Sequence, residues 1–514
     1  MNFFEFLKQN WFELIGLWRE HLFLVLVSTF CAIAIGVPLG ILLTRIKSLQ
    51  TPILGFANVM QTIPSLALFG LLIPVPFIGG IGARTAIIAL ALYALLPVIR
   101  NTVTGILGVD PKVREAAVAM GMTEWQILKQ VELPLAAPVI LTGVRVAVVI
   151  AVGVATIAAA VGAGGLGTYI FRGLRQNDNN LLIVGAASSA ILALVADFLL
   201  GQSEKLFTTA NRAIAKQRKL VAVAAASLVL LVFGWSLWAK VQSSPANSNN
   251  KITVGSKDFT ESVILAEILA QLLERRGFAV ERKFELGGNL AHDALVSNQV
   301  DVYPEYTGTA FTAILKHPPL TDPNAVYEQT KQEYAANFNL LVSPPLGFSN
   351  DFAILVRGDA ARKQNLKTIS DAMPLARNWQ AGFGQDFVSR ADGYAGFVRA
   401  YNLNFARQPR EMDLSLTYRA LAAGEVDLIA GNSTDGLIAK LDLFQLADDK
   451  HYFPPYQAVF IAREQNAKML SETFEKLKNA IPTEEMRRLN YEVDGEKRAP
   501  KEVASEWIKA QKTP

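Results

Sequence analysis

Cysteine is almost absent from this chain of 514 residues, with a single Cys31 inside an apolar run. One thiol excludes any intrachain disulfide, so each soluble part must be held by its own packing. A thiol in such a run is a small buried apolar group, and no chemistry is assigned to it. Histidine is nearly as scarce, at four. His21 opens the first apolar segment, and His292, His317 and His451 are scattered, without metal spacing or a Ser-His-Asp order; all four read as surface residues. No Gly-x-x-x-x-Gly-Lys-Ser/Thr phosphate cradle occurs, so any ATP hydrolysis must come from another polypeptide. Gly162-Ala163-Gly164-Gly165-Leu166-Gly167 has no Lys-Ser or Lys-Thr after it and reads as a tight turn between apolar segments. A formal net charge of +4 is small for this length, and no stacking-plus-basic module points to nucleic acid. Nothing calls for a cofactor. The first 21 residues, interrupted by Glu5, Lys8, Glu13, Arg19 and Glu20, lack the pattern of a cleavable signal and suit an amphipathic surface-lying helix.

What the chain has in quantity is apolar sequence, unevenly spread. Hydrophobic residues make up 51 %. They dominate 22–240, whereas 251–514 is charged throughout like an ordinary soluble domain. A membrane helix needs about 20 apolar residues, and segments near 22–44, 52–73, 85–106, 138–161, 181–201 and 220–239 meet that length. Prolines 38, 64, 97 and 138 fall in or near them, as membrane helices tolerate. Arg45 and Lys47, then Lys112, Arg114 and Lys129, then Lys205, Arg212, Lys216, Arg218 and Lys219 mark three loops on one side, the cytoplasm by the positive-inside rule. Everything after the sixth span is then outside, which predicts a multi-pass plasma-membrane protein in contact with lipid. Near the cytoplasmic ends, Arg100 and Arg145 read as snorkelling cations, with a place in the permeation path as the alternative, and Asp197 as a lone carboxylate needing a partner or water, a candidate gate or dimer contact.

Between the third and fourth apolar segments lies a polar, helix-prone insert at 113–134. Its Arg114-Glu115-Ala116-Ala117, then Gly121, then Leu133-Pro134 resembles the cytoplasmic EAA loop of permeases in binding-protein-dependent ABC importers. That resemblance implies an all-α polytopic permease of the type I importer kind over 22–211, a permease homodimer, and a separate ABC ATPase docking on this loop.

A sixth span and polar linker at 212–250 lead into 251–514, where strand-like runs at 252–255, 352–356, 426–430 and 457–461 alternate with amphipathic helical patterns such as 261–276 and 466–480. Such alternation predicts α/β architecture, and about 260 residues suit two lobes around a cleft. Gly255-Ser256-Lys257-Asp258-Phe259-Thr260-Glu261, Asp301 to Thr309, Gly347 to Phe352, Ser389 to Gly393, Ser433-Thr434-Asp435-Gly436 and Phe453-Pro454-Pro455-Tyr456 follow in order. This pattern is similar to the solute-binding proteins of glycine betaine and choline importers, a family in which fusion to the permease is known and which includes importers of ergothioneine, a histidine betaine. The implied fold is a two-lobed, type II periplasmic-binding-protein-like domain, with lobe 1 near 251–345 and 456–514 and lobe 2 near 346–455.

A trimethylammonium group has no N–H, so aromatic faces must hold it, at roughly 0.5–2 kcal/mol per contact. The carboxylate of a betaine needs cationic or N–H donors. By resemblance, Tyr306 and Tyr456 are cage tyrosines, and Lys257, Thr309 and Arg390 face the carboxylate. Phe352 and Asn432 stand where the family usually has tyrosine, which keeps one aromatic wall and replaces another with an amide. Asp435 reads as a cap for the helix starting at Gly436. Import of ergothioneine or an amino-acid-like cation is a second reading, and a solute receptor that transports nothing is a third.

Overall fold

In the computed structural model, the apolar run at 52–73 does not cross as one helix. Ile63 takes an extended backbone (φ −65°, ψ 128°) at the end of helix Gln50–Thr62, the conformation that a following proline favours. Helix Ser65–Leu72 then departs at 103° to the preceding one. The Ile63 carbonyl at the break accepts the hydroxyl hydrogen of Tyr93. The structure describes residues 3–73, 75, 79–175, 178–208, 251–390 and 392–511. These form two units, one helical and one α/β. The sixth span expected at 220–239 and the 212–250 tether lie outside the described residues.

Among the described residues, four helices of the first unit are long and apolar enough to span a membrane: Trp11–Arg45, Ala83–Leu107, Glu124–Val161 and Asn179–Glu204. The first starts at Trp11, so the helix runs on through the boundary expected at 21/22. No proline or glycine pair interrupts 11–22, and Leu14, Leu17 and His21 are buried along it. Only Phe3–Gln9 is a separate helix before it. His21 is therefore not a surface residue. It accepts the Leu166 N–H on Nδ1 (3.3 Å), which leaves Nε2 to donate to the Val152 carbonyl (3.2 Å). Beside it, the Gly165 N–H donates to Glu20 (3.0 Å), so the glycine-rich turn is fastened to the first long helix. Ala32, Ala94, Val98, Val144 and Ala147 form a buried seam among the long helices, as expected where small residues let membrane helices approach. Asp197 has its partner: Arg145 donates Nε to Oδ1 (2.5 Å) and Nη2 to Oδ2 (2.7 Å), so this arginine is engaged in a bidentate pair rather than simply snorkelling.

The described residues of the second unit form ten strands: β1 (Lys251–Lys257), β2 (Ala279–Leu286), β3 (Val302–Tyr306), β4 (Leu340–Val342), β5 (Phe352–Arg357), β6 (Ala381–Gly384), β7 (Arg410–Met412), β8 (Leu428–Asn432), β9 (Leu443–Leu446) and β10 (Ala458–Arg463). They make two five-stranded sheets, ordered β2-β1-β3-β10-β4 and β7-β6-β8-β5-β9. Each sheet mixes parallel with antiparallel pairs and is covered by helices, so its central strands are buried on both faces. Each sheet also has its own core, around Ile252, Val254 and Ile264 in one and Ile354, Phe383 and Phe397 in the other. The chain passes between sheets twice, through 343–351 and 447–457, and Ser349 pairs with Gln457 in an antiparallel bridge where the two crossings run side by side. This is the two-lobed α/β architecture of periplasmic binding proteins.

Candidate functional site

The two crossings bring aromatic and charged residues from both lobes together. Phe352 opens β5 directly after the first crossing, and Tyr456 stands one residue before the end of the second. Hydrogen bonds tie the two crossings together at Tyr456: the Asn350 N–H donates to the Tyr456 carbonyl (3.0 Å), and the Tyr456 N–H donates to Ser349 Oγ (2.9 Å) and Asp351 (3.0 Å). The rings lie edge to face, 5.4 Å apart, a favoured aromatic geometry. Gly308 lies beneath Tyr456, where a Cβ would sit 2.6 Å from the ring, so only glycine leaves room for it.

Arg390, at the end of helix Gln385–Ser389 in lobe 2, places its guanidinium over both rings, 5.3 Å from the Phe352 centroid and 5.5 Å from that of Tyr456. It donates Nε and Nη2 to the carboxylate of Asp392 (2.9 and 2.7 Å) and Nη2 to the Tyr456 hydroxyl and Thr312 Oγ1, each at 2.9 Å. The Tyr456 hydroxyl donates in turn to Asp392. Burial would raise the Asp392 carboxyl, but the hydrogen bond and charge of Arg390 hold it below the usual carboxylate range. Burial pushes the Tyr456 phenol well up, so it stays protonated and donating. Thr312 belongs to lobe 1 and Arg390 to lobe 2, so this polar cluster bridges the lobes.

Three of the seven residues singled out from sequence, Phe352, Arg390 and Tyr456, therefore meet in one place. Asn432 lies directly opposite Phe352 in the β5/β8 pair and so shares its face. Thr309 is half-buried beside Gly308. The other two are engaged elsewhere. Lys257 donates to Glu305 at 2.5 Å within lobe 1, where Glu305 has no exposed surface, and Tyr303 also donates to that carboxylate. Tyr306 is buried, and its hydroxyl donates to Glu261 (2.6 Å). Glu261 also accepts from Asn350 (2.9 Å), Thr434 (2.5 Å) and Asn490 (2.8 Å). Burial pushes the Glu261 carboxyl up, and those four hydrogen bonds oppose the rise. Asp435 accepts the Leu437 N–H at 2.9 Å, as a cap would.

Sequence reasoning did not assign Asp392, Thr312 or Glu261. Asp392 and Glu261 fell inside quoted motifs, and Asp392 two residues after a proposed ligand arginine was the available signal. Thr312 carried none. Among the described residues no group of three His, Cys, Asp or Glu side chains could hold a metal.

In the helical unit, 110–134 opens with two short capped helices. Asp110 accepts the Lys112 N–H at the start of helix Pro111–Ala119, and Thr123 and Gln126 form a capping box for Glu124–Ile127. Gly121 turns between them with φ +78°, a left-handed value that favours glycine. Ala117 is buried; Glu115, Ala116, Gly121 and Pro134 are exposed, and Arg114 and Leu133 half-buried. Met120 and Trp125 project outward as large apolar groups.

Residues 250–510 match the family described as the substrate binding domain of ABC-type glycine betaine transport systems, and 36–208 match the binding-protein-dependent transport system inner membrane component. The ergothioneine transport permease/ergothioneine binding protein EgtU of Helicobacter pylori is 35 % identical over 94 % of this chain and 87 % of its own length. The chain belongs to the fused permease and binding-protein family of ABC importers. The osmoprotectant import permease protein OsmW of Salmonella typhimurium is 47 % identical over 40 % of this chain and 98 % of its own. The carnitine transport binding protein OpuCC of Listeria monocytogenes is 36 % identical over 51 % of this chain and 87 % of its own. As in this family, the helical half is a multi-pass inner-membrane permease and the α/β half an extracytoplasmic solute-binding domain.

Proposed function

We propose that this chain imports a betaine, a solute carrying both a quaternary ammonium and a carboxylate, with ATP hydrolysed by a separate subunit docked on 113–134. The supporting observation is the guanidinium of Arg390 lying over Phe352 and Tyr456. Two aromatic faces that hold one cation can hold another of similar size. When a betaine enters, its ammonium takes the aromatic faces and Arg390 turns its donors to the carboxylate, with Thr309 close by. The exchange is charge-neutral, because the betaine adds one charge of each sign. Asn432, opposite Phe352, offers an amide to a polar ring, which suits ergothioneine better than glycine betaine. That choice also agrees with the relative that resembles the chain over most of its length. Closure of the lobes on the ligand, a permease homodimer in lipid, and transmission of the ATPase stroke through Arg114 to Pro134 complete the cycle.

Uptake of labelled ergothioneine or glycine betaine by cells making this chain and its ATPase tests the reading. Glu115→Arg and Gly121→Trp should abolish ATP-dependent uptake while leaving binding to the extracytoplasmic domain intact. Uptake that survives both would remove 113–134 from the coupling role, and binding without any uptake by the unaltered chain would favour a receptor.

A further inference from the structure

Glu132 is an acid where a membrane helix meets the cytoplasmic lever, and none of its own segment's roles accounts for it. It lies two residues before Pro134, at the end of a π-helical turn, Leu128–Glu132, that leads without a break into helix Leu133–Ile157. Its side chain is 3 % exposed. A buried carboxylate is costly unless paired, and this one has two cations from two directions. Arg45, the last residue of the first long helix, donates Nη1 to Oε1 at 3.3 Å and Nη2 to Oε2. Arg114, in the lever helix Pro111–Ala119, brings Nε within 3.2 Å of Oε1, while its Nη2 reaches Glu124 at 3.1 Å.

We infer that Glu132 is the pin that couples the cytoplasmic lever to the first long helix, a positioning residue for ATP-driven opening; this rests on the importer reading above. Helices Pro111–Ala119 and Trp11–Arg45 each contribute one of the three charges and the π-helical turn that precedes Leu133–Ile157 contributes the third, so a displacement of the lever moves Arg114 against a carboxylate that also holds Arg45. Without the carboxylate, the lever keeps its exposed docking face and its caps but loses its charged link to the first helix. π-Helical turns are frequent at functional points within helices, and Glu132 is the last, buried residue of this one.

The test uses the full chain with its ATPase subunit in proteoliposomes, with labelled ergothioneine and labelled glycine betaine supplied separately. Solute moved per ATP hydrolysed is compared with co-purification of the ATPase. Glu132→Gln should retain the ATPase and its hydrolysis but move at least about tenfold less solute per ATP, and Glu132→Asp should recover part of that loss. Arg45→Gln, at a residue one-third exposed, should shift the ratio in the same direction and covers the case in which Glu132→Gln fails to fold. A wild-type ratio in Arg45→Gln together with a wild-type ratio, or with loss of fold, in Glu132→Gln would overturn the inference. No ATP-dependent uptake by the unaltered chain would overturn the importer reading and this inference with it.

Discussion

Thr434 and Glu261 are 173 positions apart in sequence, and the threonine hydroxyl donates to the glutamate at 2.5 Å. Glu261 belongs to lobe 1 and Thr434 to the motif after β8 in lobe 2, so one buried carboxylate ties the lobes while also holding Tyr306, Asn350 and Asn490. Hydrogen bonds to a charged group contribute roughly 1.5–3 kcal/mol each. Glu261→Ala should therefore lower the stability of the binding domain by about 3 kcal/mol or more, and Thr434→Val by about 1.5 kcal/mol. Thermal unfolding of residues 251–514 measures both, and an unchanged midpoint for Glu261→Ala would contradict the assignment.

Tyr456 contributes an aromatic face and a hydroxyl. Tyr456→Ala should weaken the best ligand by at least ~1 kcal/mol, and Phe352→Ala by a similar amount. Gly308→Ala should mimic Tyr456→Ala in part, because its methyl group displaces the ring it lies under. Titration calorimetry reads all three.

Arg390 distinguishes ligands by charge. Arg390→Gln removes the cation over the two rings and the donors meant for a carboxylate. Glycine betaine and ergothioneine should lose roughly 2 kcal/mol of binding, within the range for hydrogen bonds to charged groups. Choline, which has no carboxylate, should lose little or gain. Equal losses for choline and betaine would argue that Arg390 only braces the fold.

A pH effect follows from Asp494, in helix Thr483–Asp494, whose carboxyl is pushed up to about 7 by burial and then by the neighbouring Asp435. A raised value means that the folded domain holds a proton the unfolded chain releases near pH 4. That stabilisation is complete below pH 4 and is lost as pH rises towards 7. Asp494→Asn should match wild type near pH 4 and exceed it at pH 8, by up to about 4 kcal/mol for a three-unit shift. Melting curves from pH 4 to 8 check this, and parallel profiles would contradict it.

Much of the architecture was legible in the sequence because its signals are local. Apolar length marked the long helices, β-rich runs such as 352–356 and 457–461 fell on strands β5 and β10, and the 113–134 motif stood out by spacing. What depends on partners distant in the chain was not legible. Tyr306 looked like Tyr456 in its motif, yet a glutamate 45 residues earlier takes its hydroxyl. Lys257 looked free until Glu305 closed on it. Glu132 and Glu261 are written like any surface acid, and only the helices and crossings around them show that they are buried. The break at Pro64 was visible as a proline, but membrane helices often absorb prolines, so its 103° bend was not.

Calorimetry of residues 251–514 with choline, glycine betaine, carnitine, ergothioneine and arginine tests the central claim most directly. A site built from two aromatic faces and one arginine should bind a carboxylate-bearing quaternary ammonium most tightly, ergothioneine foremost, and should lose it on Tyr456→Ala. Arginine as the tightest ligand, or a betaine bound equally well without Tyr456, would contradict it.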